Sequence, residues 1–392
     1  MVKQRDLDIV IYGATGFTGR LVAEYLYRQY GVDGEIRWAM AGRSQQKLEA
    51  VRTELGIPDS LPLLVADATD PRSLQVMVQR SKVILTTVGP YLLYGSEVVA
   101  ACAAAGTDYV DLCGEPAWMH QMIEKHAATA RESGARIVFS CGFDSIPFDL
   151  GVYFLQQAAQ QEFGEPVSRV RSRVRKMKGT FSGGTLASFK ATMAAAAKDP
   201  ETFALLTNPF ALTPGFSGPE QPAGNQPEYD EVIGSWVAPF VMATINTKNI
   251  HRSNCLLQHS YGKGFVYDEM LVTGPGKEGE ALANAVASDK SMANDPRQPG
   301  EGPSRQERES GGYDVLFVGE TGDGRFIRAS VQGDMDPGYG STSKMIAESA
   351  VCLVKNPDMA EGGVWTPASA MGAVLLDRLQ TNAGVSFQLE RA

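Results

Sequence analysis

Three glycines at intervals of three residues follow the first apolar run of the sequence. The run at positions 9–12 ends at Gly13, and Gly16 and Gly19 precede apolar residues with helical spacing. Glycine lets the backbone approach an anion closely, and the first amides of a helix point at that anion with the positive end of the helix dipole. The spacing is GxxGxxG rather than the commoner GxGxxG. It predicts a dinucleotide pyrophosphate site, with a tight turn that binds nothing as the alternative. The residues assigned to this site are Gly13, Thr15, Gly16, Phe17, Thr18 and Gly19.

The residues that end the second predicted strand distinguish between two nicotinamide cofactors. An NAD site places Asp or Glu there to accept hydrogen bonds from the ribose, whereas this chain continues through Arg43 and Ser44, with Lys47 one turn later. Arg43 can stack on adenine and bind a 2′-phosphate, to which Ser44 can donate. The pattern therefore favours NADP(H) over NAD, although Arg43 and Lys47 are also typical of solvated charges at a helix start. Asp67, after the third strand, is either a contact to adenine or a helix-start carboxylate.

Polar and glycine-bearing segments follow three further predicted strands. Because ligands of a doubly wound sheet lie beyond the carboxyl ends of its strands, we expect these segments to meet at one pocket. The residues assigned there to cofactor binding are Val88, Gly89, Pro90, Tyr91, Cys113 and Gly114.

The proton donor is not apparent from any familiar motif. No tyrosine is followed by lysine four residues later, no GxSxG segment occurs, and the four histidines lack metal-ligand spacing. We therefore predict no metal. Hydride delivery to a conjugated alkene or an imine leaves the proton to Tyr, Cys or water. The strand ends make Tyr91 and Asp144 the candidate catalytic residues.

Four arginines alternate with other residues in the middle of the chain, at positions 169, 171, 173 and 175. The period of two places them on one face of a strand. This row could receive a phosphopantetheine arm or an anionic partner, or it could be the solvated outer face of a sheet.

The elements that must position these residues follow two different rhythms. Strands alternate with helices over residues 1–150, which predicts a Rossmann doubly wound parallel sheet as the dinucleotide-binding domain. Residues 151–340 contain successive strands, which predict a second α+β domain on a mixed or antiparallel sheet. Strand character is expected over 232–245, and a polar, glycine-rich loop over 274–312.

Composition excludes several classes of protein. The 392 residues include 45 acidic and 36 basic side chains, and a net charge of −9 argues against nonspecific nucleic-acid binding. Five cysteines without CxxC spacing favour a reducing compartment, and we expect a cytoplasmic protein. The sequence has neither a secretory signal nor an apolar run that could cross a membrane, while peripheral membrane contact stays open.

Together these motifs resemble the saccharopine dehydrogenase-like family and, more narrowly, its trans-acting enoyl reductase branch. The segments that carry the resemblance lie at 13–19, 41–43, 88–91, 109–115, 142–147, 182–185, 338–342 and 363–367. It implies that helices in 341–392 pack back on the dinucleotide-binding domain and that the middle segment binds substrate and forms a homodimer. It also implies reduction of an enoyl double bond on a polyketide-derived acyl or lipid chain that a synthase carries.

Three functions remain open at this point. The first is an NADPH-dependent enoyl reductase, the second a saccharopine-type imine reductase, and the third a nucleotide-binding protein without turnover. An apolar tunnel in the second domain would favour the first, and cations facing the nicotinamide would favour the second. A blocked nicotinamide pocket would favour the third.

Overall fold

The computed structural model describes residues 5–391, apart from the side chain of Ala293. Its strands are β1 (Leu7–Tyr12), β2 (Trp38–Gly42), β3 (Leu63–Val65), β4 (Ser81–Thr86), β5 (Asp108–Val110), β6 (Arg136–Val138), β7 (Arg169–Lys178), β8 (Glu228–Asp230), β9 (Ser235–Pro239), β10 (Val266–Gly274), β11 (Gly312–Glu320), β12 (Phe326–Gly333), β13 (Gly363–Trp365) and β14 (Val385–Glu390).

The helices connect these strands in an alternating pattern at first and less regularly later. They are α1 (Phe17–Tyr30), α2 (Gln45–Glu54), α3 (Pro71–Arg80), α4 (Tyr91–Tyr94), α5 (Ser96–Ala105), α6 (Pro116–Ser133), α7 (Ile146–Phe163), α8 (Gly183–Ala196), α9 (Pro200–Thr207), α10 (Ala243–Leu256), α11 (Gly276–Ala287), α12 (Ser291–Asn294), α13 (Arg305–Glu309), α14 (Thr342–Lys355) and α15 (Pro367–Arg378). Single π-helical turns occupy Pro337–Ser341 and Leu379–Ala383.

The first sheet is parallel throughout and has the order β13-β6-β5-β4-β1-β2-β3. Strand β1 lies between β2 and β4, so the chain reverses its direction of travel across the sheet at this strand. A crevice opens at such a switch point, beyond the carboxyl ends of the strands. The predicted Rossmann sheet is confirmed.

The second sheet is mixed, with the order β14-β12-β11-β7-β10-β9-β8. Strands β7 and β10 are parallel, and the other neighbours are antiparallel. This agrees with the predicted second α+β domain, and the turn at 321–324 joins β11 to β12 as a hairpin.

Two predictions of local structure are wrong. Residues 274–312 are not one loop, because α11, α12 and α13 lie within them. Helix α11 packs against β9 and β10 and buries Ala283, so tertiary contact overrides the glycine content of the segment. Strand character over 232–245 ends at Pro239, and α10 begins at Ala243.

The C-terminal part of the chain returns to both sheets. Helix α14 packs against α1, β1 and β4, where the buried Glu348 accepts hydrogen bonds from the hydroxyls of Tyr25 and Tyr30. Strand β13 extends the first sheet at β6, whereas β14 pairs with β12 of the second sheet. Helix α7 runs continuously through residue 150, and the predicted segment of C-terminal helices also contains strand β14. The domain boundaries at residues 150 and 340 therefore stay predictions.

The four arginines of β7 do not form either of the surfaces that the sequence left open. Each is paired with one or two carboxylates of other strands in the same sheet, and the Arg173 side chain is only 2% exposed. They are therefore neither a free anion site nor a solvated row. We call this set the arginine ladder: Arg169 with Asp268, Arg171 with Glu320, Arg173 with Asp230 and Asp268, and Arg175 with Asp314 and Glu390.

No helix in the described part of the chain is both long enough and apolar enough to cross a membrane.

Candidate active site

The turn between β1 and α1 has no room for side chains at two of its glycines. Gly13 has φ +95°, and a Cβ atom there would lie 2.7 Å from Cγ2 of Val88. A Cβ atom on Gly19 would lie 2.2 Å from the carbonyl oxygen of Gly13. Glycine is therefore required at both positions for the helix to start this close to the strand.

The start of α1 fits the pyrophosphate of a dinucleotide. The amides of Phe17 and Thr18 find no acceptor among the described residues, and the first turn contains no acidic side chain. Gly16 is exposed, and the side chain of Thr15 lies against Gly42 at the end of β2. These are free donors at the positive end of a helix dipole, beside an open backbone.

The predicted adenosine end lies at β2 and β3. The side chains of Arg43 and Lys47 are exposed and make no hydrogen bond or ion pair within residues 5–391. The Ser44 hydroxyl caps α2 by accepting from the amide of Lys47 at 3.3 Å, which leaves its own proton free to donate. Asp67 uses Oδ1 in its own turn, where it accepts from the amide and hydroxyl of Thr69.

The side chain of Phe17 contacts residues that follow the first 150, rather than the predicted cofactor-binding residues at β2 and β3. Its ring packs edge-on against Tyr339 with centroids 5.2 Å apart, and the Arg308 guanidinium lies 5.7 Å from its centroid. A Cβ atom on Gly302 would also collide with the ring. The side chain of Phe17 thus connects the turn between β1 and α1 to the second domain. Its backbone amide remains one of the free donors at the start of α1.

A cleft opens between the ends of β4, β5 and β6 and the second domain. Its two lobes hold about 770 and 1160 Å³, open mouths included, and share Thr18, Leu112, Asp144, Thr185, Val241 and Met242. The wall from the first sheet also includes Thr87, Gly89, Tyr91, Gly114 and Glu115. The opposite wall includes the apolar side chains of Met177, Phe181, Phe189, Met193, Leu206, Phe240, Met242 and Ile245. We call this space the active-site cleft.

The charged groups of the active-site cleft are acidic. Among the described residues, no Arg, Lys or His lines either lobe, and the ionisable carboxyls that do are Asp144 and Glu115. An apolar pocket with few polar groups suits a neutral chain better than a polyanion.

Asp144 lies at the tip of the loop after β6 and lines both lobes. Its carboxyl pairs with no cation and no side chain among the described residues, and burial raises its pKa to about 6. The loop is held by Thr342, whose hydroxyl donates to the carbonyl of Pro337 at 2.7 Å and accepts from the amide of Phe143 at 3.0 Å. A carboxyl with this pKa exchanges a proton near neutral pH.

Tyr91 contributes its ring to the cleft while its hydroxyl is used by the backbone. The hydroxyl accepts from the amide of Leu112 at 3.0 Å and donates to the carbonyl of Thr86 at 3.5 Å, and burial raises its pKa well above the usual range. Glu115 accepts from the amides of Tyr91 and Leu92 at 2.9 and 2.8 Å. These bonds tie the ends of β4 and β5 together, so the geometry favours a positioning role for Tyr91.

The other residues assigned to cofactor binding after β4 and β5 contribute packing and backbone rather than reactive side chains. Val88 packs on Gly13, and Pro90 is buried after a cis bond from Gly89. The thiol of Cys113 is completely buried, and burial raises its pKa well above the usual range. Cys113 is therefore a poor thiolate, and Gly114, which lines the cleft, presents backbone there.

Sequence reasoning assigned no role to two hydroxyls of the active-site cleft. Tyr339 lies in the π-helical turn at 337–341 and Thr185 in the first turn of α8, and their oxygens are 2.9 Å apart. Both belong to segments that carried the family resemblance, and this signal could have identified them. Their distance along the chain, 154 positions, hid the contact.

The sequence of this chain is similar to those of known proteins. Residues 9–138 match the family model of the saccharopine dehydrogenase NADP-binding domain. A Mycobacterium tuberculosis protein provisionally named a trans-acting enoyl reductase is 42% identical, over 99% of this chain and 98% of its own. The trans-acting enoyl reductase of Mycobacterium ulcerans is 39% identical, over 98% of both chains.

A solved structure extends the similarity to the fold. Saccharopine dehydrogenase (L-Glu forming) from Saccharomyces cerevisiae, in its apo form, aligns with a TM-score of 0.56 over 98% of this chain and all of its own, at 10% identity. The predicted family is confirmed by the close relatives. This chain belongs to the trans-acting enoyl reductases of the saccharopine dehydrogenase-like family, and it is an NAD(P)-dependent oxidoreductase.

Proposed function

We propose that the protein uses NADPH to reduce the carbon–carbon double bond of an acyl chain carried by a partner synthase. The observation that carries the proposal is the active-site cleft: a long apolar wall faces the strand ends, and no cation lines the described part of it. An enoyl chain buries apolar surface in such a cleft and needs no cation.

The saccharopine-type alternative needs positive groups for substrate carboxylates. The arginines of β7 cannot provide them, because the arginine ladder already pairs each with an acidic side chain. A non-catalytic role needs a blocked cleft, whereas Thr87, Gly89 and Gly114 line an open one. Both alternatives are therefore less well supported.

The choice of NADP(H) over NAD rests on the end of β2. Arg43 and Lys47 would hold the 2′-phosphate with the hydroxyl of Ser44, and the amides at the start of α1 would hold the pyrophosphate. The segments at 87–89 and 112–114 would flank the nicotinamide riboside. Contact of Asp67 with adenine stays a prediction. When bound, the reduced cofactor supplies the hydride.

We assign proton handling to Asp144. Asp144 lines both lobes and has no cation partner among residues 5–391, and an apolar chain in the cleft would remove water and move its pKa further upward. In the neutral form its Oδ–H can protonate the α-carbon after the hydride adds to the β-carbon. Tyr91 would act by holding the loop at Leu112 in place.

The names of the relatives and the open cleft support delivery of the substrate in trans. Homodimer formation by the middle segment and a cytoplasmic location are further parts of this proposal. Gel filtration with light scattering tests the first, and cell fractionation tests the second.

Cofactor oxidation tests the proposal directly. We expect oxidation of NADPH with enoyl thioesters, at least tenfold faster than with NADH, and none with the substrates of saccharopine formation. NADPH oxidation with an amino acid and an aldehyde acid, but not with any enoyl thioester, would overturn it. Tight NADPH binding without turnover on either class would favour the non-catalytic role.

A further inference from the structure

A short chain of hydrogen bonds joins the second domain to the active-site cleft. The backbone amide of Ser182 donates to the hydroxyl of Tyr339, and that hydroxyl lies 2.9 Å from Oγ1 of Thr185. Ser182 also caps α8, since its Oγ accepts from the amide of Thr185 at 3.4 Å. The start of α8 is thereby fixed on the ring of Tyr339.

The turn that carries Tyr339 is itself held from two sides. The buried carboxylate of Asp336 accepts from the amides of Tyr339 and Gly340 at 3.0 and 2.7 Å. Thr342 then connects the same turn to Phe143, the residue before Asp144. The hydroxyl of Tyr339 is therefore placed relative to Asp144 by hydrogen bonds between the side chains of Asp336 and Thr342 and the backbone.

The ring of Tyr339 also touches the cofactor helix. It packs against Phe17, the first residue of α1, and only 4% of Tyr339 is exposed. The hydroxyl end of this ring reaches Thr185 in the cleft, while the ring itself contacts Phe17 at the start of α1.

Counting donors shows which proton is left for a ligand. The Tyr339 oxygen accepts from the Ser182 amide, and either hydroxyl of the Tyr339–Thr185 pair can be the donor. We assign the phenol proton to Oγ1 of Thr185. The proton of Thr185 then has no acceptor among the described residues, and Thr185 lines both lobes of the cleft. A hydroxyl that accepts from a fixed phenol becomes a better donor toward the cleft.

We propose that the hydroxyl of Thr185 donates a hydrogen bond to the carbonyl oxygen of the acyl substrate, with Tyr339 as its positioning residue. This rests on the proposed function. When a hydride from the reduced nicotinamide adds to the β-carbon, the π electrons of the double bond move and the carbonyl oxygen gains negative charge. The α-carbon then takes a proton from Asp144 or water, the carbonyl is restored, and Thr185 keeps its proton throughout. Fixed donors aimed at a developing oxyanion are an effective source of rate enhancement.

Infrared spectroscopy tests the contact without turnover. The probe is a saturated acyl thioester with a ¹³C-labelled carbonyl, bound to the full-length protein with NADP⁺. We expect the carbonyl band to shift to lower wavenumber in the wild type, and this shift to be lost in Thr185→Val and kept in Thr185→Ser. Binding with an unshifted wild-type band would overturn the assignment and leave the proposed function intact. A protein that binds no acyl thioester would overturn both.

Kinetics separate a positioning role from a structural one. Thr185→Val and Tyr339→Phe should each lower kcat with an enoyl thioester about 10²-fold, with KM for the thioester changed less than threefold. Thr185→Ser should recover at least a tenth of the activity. The matched control is Tyr313→Phe, which removes a buried phenol hydroxyl that contacts Ser341 of the same turn at 3.0 Å. An equal kcat loss in Tyr313→Phe would contradict the specific role of Tyr339.

Discussion

The arginine ladder and the active-site cleft treat polar groups in opposite ways. In the ladder, Arg173 lies between Asp230 and Asp268, and every guanidinium has a carboxylate partner. In the cleft, no cation of the described residues pairs with Asp144, and the proposed direction of the Tyr339–Thr185 hydrogen bond leaves Thr185 a proton to donate. The sequence left the arginine row open between an anion site and a solvated sheet face, and the structure shows it saturated with carboxylates. The polar groups left unpaired at the strand ends, by contrast, have chemistry available. Unpaired polar groups in a cleft, rather than charge as such, indicate the site.

The largest expected effect is in the ladder and is on stability. Arg173→Ala leaves two buried carboxylates without their shared partner, so we expect the free energy of unfolding to fall by about 3–5 kcal/mol. Denaturant titration measures the loss. Arg171→Ala is the matched control on the same strand: its ion pair with Glu320 is partly exposed, and we expect a loss of about 1 kcal/mol or less. Equal losses of unfolding free energy in the two variants would show that burial of the ion pair does not determine its contribution to stability.

The next effect is in the cleft and is on activity. Asp144→Asn keeps the shape of the side chain and removes the exchangeable carboxyl proton, so we expect kcat to fall about 10²-fold. Loss of the pH dependence near pH 6 should accompany the fall. The rate profile from pH 5 to 8, compared with the wild type, checks both. An unchanged profile would assign the proton to another group.

A smaller effect concerns the free cations at β2. Arg43→Ala should weaken NADPH binding about 10- to 100-fold, because it removes charge-assisted hydrogen bonds to the 2′-phosphate. NADH binding should change less than threefold. Fluorescence titration of both cofactors measures the difference, and an equal loss for the two would make the 2′-phosphate assignment wrong.

The smallest effect is the pH dependence of stability that Asp144 contributes. Burial raises its pKa from 3.8 to about 6, so the folded protein binds this proton more tightly than the unfolded chain does. The contribution of this carboxyl to stability is therefore present below pH 4 and declines as pH rises from about 4 to 6. Because the group is partly exposed, we expect Asp144→Asn to reduce this decline by only about 1–2 kcal/mol. Unfolding at pH 4 and 7 gives the comparison, and an identical decline in both proteins would contradict the shift.

Much of the first sheet could be predicted because its signals are local. Apolar runs end in glycine, Ser44 caps α2, and Asp70 caps α3 by accepting from the amide of Arg72, so each signal lies within a few residues of the element that it bounds. The second domain was less predictable, since α11 depends on packing against β9 and β10 rather than on its own composition.

The candidate site divides in the same manner. Gly13, Gly19 and the strand-end loops were predicted because each strand end carries its own motif. The contacts of Tyr91 and Phe17 could not be predicted from the sequence. The hydroxyl of Tyr91 accepts a hydrogen bond from the amide of Leu112, and the ring of Phe17 packs against Tyr339. Both partners come from other elements.

The sequence by itself determined the family, the alternation of strands and helices in the Rossmann sheet and the glycine turn, because these follow from patterns no longer than one βα unit. Only the tertiary structure decided which polar groups remain unpaired. Arg173 is paired with carboxylates 57 and 95 positions away and is not available to a ligand. Thr185 contacts the phenol hydroxyl of Tyr339, 154 positions away. Whether a side chain can act depends on such contacts, because a hydrogen bond or ion pair to the protein removes the group from a ligand.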